Sequence, residues 1–249
     1  MRVLIACEFS GAVRKEFEAL GHEAWSCDLL PSEIPGNHYQ GDVRDMLSEH
    51  WDLMVAHPPC TRLCNSGVCW LEKRNLWEDM REGAEFFKML LNAPIEKIAI
   101  ENPIMHKYAR EIIGVKYSQI IQPWQFGHGE TKATCLWLKN LPLLQPSNIV
   151  AGREQRLHKL PPSPDRWRER SKTFPGIAQA MAQQWGTPCF PTPRVPDMWE
   201  STPLQAFSHP ETFATSQALS TPPTRGSCNP FGGFLASRRK VKKCAFVCM

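Results

Sequence analysis

Over residues 1 to about 187, short apolar runs alternate with segments whose apolar side chains recur every three or four residues. RVLIAC, EAWSCDL, DLMVA and KIAIENP have the aliphatic, β-branched character of strands and are bounded by residues that favour turns. GAVRKEFEALGH places Val13, Phe17 and Leu20 at helical spacing, and LEKRNLWEDMREGAEFFKMLLNA predicts one long helix. SQIIQPWQFG and ATCLWLKNL read as two strands that close a sheet. A last helix, PGIAQAMAQQWG, has Pro175 at its start and Gly186 at its end. Strands alternating with helices predict an α/β fold: a Rossmann-like, mainly parallel sheet with helices on both faces.

After Thr187 the pattern stops. Residues 188–249 are rich in Pro, Ser and Thr and show no sustained period, so the expected organisation is a domain over 1–187 followed by a disordered or loosely docked tail. The basic run RRKVKK in that tail would add non-specific affinity for nucleic acid at most. A hydrophobic content of 42% is ordinary for a soluble protein. VLIAC is too short to cross a bilayer and no signal-peptide pattern precedes it, which points to a cytoplasmic protein. Ten cysteines are scattered along the chain, and in that compartment they stay reduced. The net charge of +4 is compatible with a polyanionic partner without demonstrating one.

Candidate chemistry gathers at the ends of the predicted strands, where open α/β sheets bind their ligands. In VAHPPCTRLC, Pro58 and Pro59 end a strand and hold Cys60 at a set angle. By itself Cys60 reads equally as a nucleophile, a metal ligand or a small buried side chain. Cys64 and Cys69 follow it, but no paired CxxC or suitable histidine completes a metal site, and none is expected. His57 reads as a loop residue. In CEFSG, Gly11 permits close backbone approach to a ligand at a helix amino terminus. Asp28 ends the second strand, where an acid meets a ribose hydroxyl in nucleoside-binding sheets, and Asp42 in GDVRD lies beside an adenine-sized site. Each acid alone reads more readily as a turn or cap residue; together they suggest an adenosine-containing cofactor. Glu101, in IAIENP, ends a neighbouring strand and would share a crevice with Cys60. A thiolate facing a carboxyl group suits covalent catalysis on a heteroaromatic ring such as cytosine, with sulfur adding to carbon 6 and the acid acting at nitrogen 3.

The ordered motifs FSG, PPC, ENP and the closing PGIAQAMAQQWG resemble those of DNA cytosine-5 methyltransferases over most of residues 1 to 187. The resemblance implies a class I methyltransferase fold, S-adenosyl-L-methionine as cofactor and DNA as partner. It also implies Cys60 as nucleophile, Glu101 at nitrogen 3, and Phe9 and Gly11 at the cofactor, with Ser10, Asp28, Asp42 and Pro58 beside them. Family members carry a base-holding arginine after ENP, and here Lys132 is the candidate substitute. PPC in place of PP followed by an aromatic residue argues for carbon methylation over amino methylation. Two departures stand out: FSGAVR lacks further glycines, and only about 70 residues separate ENP from the last helix, little room for a target-recognition domain. The chain therefore resembles a small phage or prophage form, acting in a bacterial or phage-infected cell. Single-stranded DNA, RNA or a cytosine nucleotide stay open as substrates, as does a catalytically silent nucleic-acid-binding protein. In the short interval, Arg153, Arg156, Lys159, Arg166, Arg168, Arg170 and Lys172 suit either phosphate contact or a solvated loop.

Overall fold

A computed structural model describes residues 1–187 of the chain; the tail expected over 188–249, RRKVKK included, lies outside the described residues. Seven strands form one sheet: β1 (Arg2–Ala6), β2 (Glu23–Asp28), β3 (His38–Gln40), β4 (Leu53–Ala56), β5 (Lys97–Pro103), β6 (Gln119–Ile121) and β7 (Thr134–Lys139). Their spatial order is β3-β2-β1-β4-β5-β7-β6, with β7 antiparallel to both neighbours and the remaining pairings parallel. The expected Rossmann-like fold class is the one observed. The central strands are apolar on both sides because helices cover both faces; Val3 to Ala6 and Leu53 to Ala56 are fully buried.

One face carries α1 (Ala12–Ala19) and α7 (Pro175–Trp185), with Val13, Phe17, Ile177 and Met181 in a common core. The other carries α3 (Trp77–Leu91) and α4 (Lys107–Ile113), where Phe87, Leu90 and Ile113 pack on Met54 and Ile100. The chain order reverses between β1 and β4, so the carboxyl ends of these strands flank a crevice of the kind that binds ligands in open α/β sheets.

Three expectations need correction. The long helix is broken into α2 (Cys69–Lys73) and α3, because Asn75 takes a left-handed φ of 50° between them, a conformation that asparagine tolerates. Helix α4 and strand β3 were not foreseen; both are too short for a periodic signal, and α4 starts where the ring of His106 accepts a hydrogen bond from the Ala109 N–H at 3.2 Å. The basic interval contains α5 (Arg156–Lys159) and α6 (Arg166–Ser171) and is no open loop.

Candidate active site

The two prolines carry the chain straight out of β4. Pro58 is buried, and after Cys60 the chain turns once, with the N–H groups of Leu63 and Cys64 donating to the Cys60 carbonyl at 2.9 and 3.0 Å. The turn is fastened to the segment following β5. Leu63 O accepts from the His106 N–H at 3.0 Å, the His106 ring donates through Nε2 to Arg62 O at 2.8 Å, and Asn65 N–H donates to Ile104 O at 3.0 Å. Cys60 is thus set by the strand it leaves and by the end of the strand that carries Glu101. Four residues along, on the same side of the turn, the Cys64 sulfur shares a hydrogen bond with the Cys60 sulfur and lies 3.1 Å from Ser66 Oγ. The bond with Cys60, against burial and with help from Ser66 and Gly67, holds the Cys64 thiol down to about 5. Two sulfurs in contact titrate as a pair, so the first proton leaves the pair well below the ordinary thiol range.

Glu101 is held from three sides. Ala56 pairs with Ile100 across β4 and β5, which brings the next residues level, and His57 Nδ1 lies 2.8 Å from Glu101 Oε2. Lys132 Nζ, on the loop before β7, is 3.9 Å from Oε1, and the Thr173 hydroxyl donates from the segment entering α7. The side chains of His57 and Glu101 are each 12% exposed. Burial pushes the Glu101 carboxyl up, but Lys132, His57 and Thr173 outweigh it and hold the group down to about 2. Glu101 is therefore a carboxylate in the free protein and carries no proton of its own. His57 is no simple loop residue. Burial works against its charge, yet Glu101 and Glu8 together raise its pKa above the ordinary value.

The β1 turn carries the expected cofactor residues. Gly11 has φ 69°, and a Cβ there would meet Ile34 Cγ1 at 2.5 Å, so both backbone and space demand glycine. Glu8, buried, caps α1 by accepting the Val13 N–H at 2.7 Å and the Arg14 N–H at 3.3 Å, and Ser10 Oγ donates to it at 3.2 Å. Asp28 ends β2 and accepts the Leu30 N–H at 2.9 Å; burial pushes its carboxyl up, against the pull of that bond and of His38 and His57. Asp42 is engaged locally: it accepts the Arg44 N–H at 3.0 Å, pairs with Arg44 Nη1 at 2.8 Å and caps the 3-10 turn Val43–Asp45.

A cavity of about 400 Å³ opens beside this turn, lined by Ser10, Ala12, Glu33, Lys172, Thr173 and Phe174 among others. Thr173 belongs both to this lining and to the Glu101 contacts, so the cavity wall reaches the ion-paired carboxylate. An adenosine-containing cofactor fits these residues: the cavity is of small-molecule size, starts at the turn that follows β1 and offers both cationic and anionic groups. The basic interval closes over the same turn. Trp167 packs on Phe9, Arg168 pairs with Glu33, and Lys172 Nζ lies 3.1 Å from Glu33. Arg156 pairs with Glu130 at 3.0 Å and Arg153 lies over the Trp124 ring at 3.8 Å. Much of the basic charge is thus engaged with the domain itself.

The structure brings together Glu101 and Lys132; it adds Thr173 and His106, which the sequence did not point to, and it gives partners to His57, expected as a loop residue, and to Cys64, weighed only as a metal ligand. Only His57 had a local signal, since it follows a strand whose neighbour carries Glu101. The described residues contain no helix long and apolar enough to cross a membrane. No protein-family model matches the chain, and no curated protein matches it. Among solved structures, the chain is similar to a DNA modification methyltransferase encoded within an E. coli prophage, at 11% identity and TM-score 0.40 over 61% of this chain and 52% of that one. It is similar to an Entamoeba histolytica methyltransferase at 16% identity and TM-score 0.38, over 60% of this chain and 57% of that one. It is also similar to the S. pombe Dnmt2 methyltransferase at 18% identity and TM-score 0.38, over 55% of this chain and 50% of that one. The chain spans about half the length of the solved structures it matches.

Proposed function

We propose that the protein transfers a methyl group from S-adenosyl-L-methionine to carbon 5 of cytosine in DNA, through a covalent bond between Cys60 and carbon 6 of the base. The observation that carries this reading is the fastening of the Cys60 turn to the end of β5, which puts a low-pKa thiol pair and the Glu101 carboxylate at one end of two adjacent parallel strands. The cofactor, when bound, supplies an electrophilic methyl group. Phe9, Ser10, Gly11, Asp28, Asp42 and Pro58 form its side of the crevice. Sulfur attack on carbon 6, with a proton gained at nitrogen 3 opposite Glu101, makes carbon 5 nucleophilic; after methyl transfer carbon 5 gives up its hydrogen as a proton and sulfur leaves. Lys132 keeps the Glu101 carboxylate charged and in place. A duplex base must leave the stack to be reached from both faces.

The test is covalent trapping on 5-fluorocytosine DNA with cofactor, where the fluorine blocks the elimination that frees the enzyme. The unmodified protein is expected to give an adduct that survives denaturing electrophoresis, Cys60→Ser to give none, and Cys64→Ser to keep it at a slower rate because the pair has lost its second sulfur. An adduct that survives in Cys60→Ser but disappears in Cys64→Ser would move the nucleophile to Cys64. Methylation without any trapped adduct would point to amino methylation, and no methylation of DNA, RNA or dCMP would leave a silent binding protein.

A further inference from the structure

Glu101 poses a chemical difficulty that the sequence did not reveal. Adding sulfur to carbon 6 of cytosine places negative charge on the ring, which a proton at nitrogen 3 relieves, but the group that would meet nitrogen 3 is a carboxylate with no proton of its own. The titratable proton carrier in contact with it is His57, whose Nδ1 is 2.8 Å from Oε2. The other nitrogen of that ring, Nε2, is buried and has no hydrogen-bond partner among the described residues. A proton on Nδ1 thus has one exit, through Glu101.

Resting on the cytosine reading above, we infer that His57 is the proton reservoir of this site and acts through Glu101. As the base arrives, the Nδ1–H bond breaks and an Oε2–H bond forms; a half-turn of the carboxyl about its terminal torsion then presents that proton to nitrogen 3. The products are a neutral His57, a Glu101 carboxylate and a base protonated at nitrogen 3. When sulfur later leaves as thiolate, the hydrogen on carbon 5 departs as a proton to solvent and the proton on nitrogen 3 returns to His57 by the same route. His57 is a positioning residue in this scheme, since it never touches the base.

The charges around the imidazole support this reservoir. Glu101 on β5, Glu8 after β1 and Asp28 at the end of β2 favour its cation, while Lys132 before β7 opposes it. The balance lies with the three carboxylates, so a ring that burial alone would keep neutral retains its proton. Lys132 Nζ, 3.9 Å from Oε1, is beyond hydrogen-bond distance and acts on the carboxylate through its charge.

Two measurements on the full chain test this. In ligand-free protein, NMR titration of labelled carboxyl and imidazole groups should show Glu101 titrating far below an ordinary glutamate. His57→Gln should move that titration up by at least about one pH unit, and Glu101→Gln should move the His57 titration down. With cytosine DNA and labelled cofactor, single-turnover methylation by the unmodified protein should fall on the alkaline side as His57 loses its proton. His57→Gln should be at least about tenfold slower at neutral pH and lack that alkaline limb. Added imidazole should restore part of the rate to His57→Ala, which a purely structural role would not allow. A Glu101 titration unmoved in His57→Gln overturns the inference, as does an unchanged rate and pH profile in an active protein. If the titrations are linked but the unmodified protein methylates no cytosine, the function reading fails and the delivery of the proton to nitrogen 3 fails with it.

Discussion

The indole of Trp167 packs against the ring of Phe9, with centroids 5.7 Å apart and planes inclined at 54°. Residues from opposite ends of the described chain thereby meet at the β1 turn, and Phe9 is left only 8% exposed. Arg168 and Lys172 lock the same contact through Glu33, whose N–H is bound to Phe9 O at 2.8 Å. Trp167→Ala should lower stability by about 1–2 kcal/mol, the loss of a half-buried aromatic contact. It should also speed proteolysis in the exposed stretch from Pro161 to Asp165. Denaturant melts and limited digestion measure both, and unchanged behaviour would mean that α6 is not docked in solution.

Asp28 and Asp42 should separate by calorimetry with S-adenosyl-L-methionine. Asp28, half-buried at the end of β2, should cost about 1–3 kcal/mol of binding on conversion to Ala, through loss of a buried acceptor. Asp42 is 43% exposed and already engaged by Arg44, so Asp42→Ala should cost less in binding and about 1 kcal/mol of stability through the lost cap. Equal affinities for Asp28→Ala and the unmodified protein would remove Asp28 from the site.

The ion-paired carboxylate predicts acid sensitivity. The folded-state pKa of Glu101, about 2, lies below the ordinary 4.5, so its contribution is complete above about pH 4.5 and is lost as pH falls through about 2. That contribution is on the order of 3 kcal/mol. His57 has the opposite sign: its pKa is raised above 6.5, so its contribution is complete below 6.5 and is lost as pH rises through the higher folded value. Denaturant melts should therefore show greatest stability between these limits. Glu101→Gln should flatten the acid limb while lowering stability near neutrality, because it leaves Lys132 and His57 without their carboxylate. An unaltered acid limb in that variant would assign the effect to other carboxylates.

A chain ending at Thr187 is expected to fold and to bind cofactor. Helix α7 completes the cover of its sheet face, with Ile177, Ala178, Met181 and Trp185 buried against α1 and the central strands. Thermal melts of the shortened and full chains should agree within a few degrees; a large drop would show that residues after Thr187 contribute to the core.

What the sequence determined by itself was the alternation of strands and helices, because a strand covered on both faces must be a short apolar run and a covering helix must repeat its apolar positions. The prolines after β4 and the Gly11 turn are equally local, and backbone chemistry sufficed to read them; Glu101, expected at a strand end, lies inside β5, which runs on to Pro103 against β7 because that antiparallel partner extends the pairing beyond β4. The tertiary structure alone decided the state of the site. Whether Glu101 is neutral or charged depends on Lys132, His57 and Thr173, which reach it from three other segments, and Coulomb energies depend on distances that no local pattern encodes. Likewise, the sequence left the basic interval between phosphate contact and a solvated loop, and only the fold showed Glu33, Glu130 and Trp124 in contact with its arginines. Short elements such as α4 and β3 fell to the same limit: they exist because the sheet and the His106 hydrogen bonds hold them, while their own few residues carry no period to read.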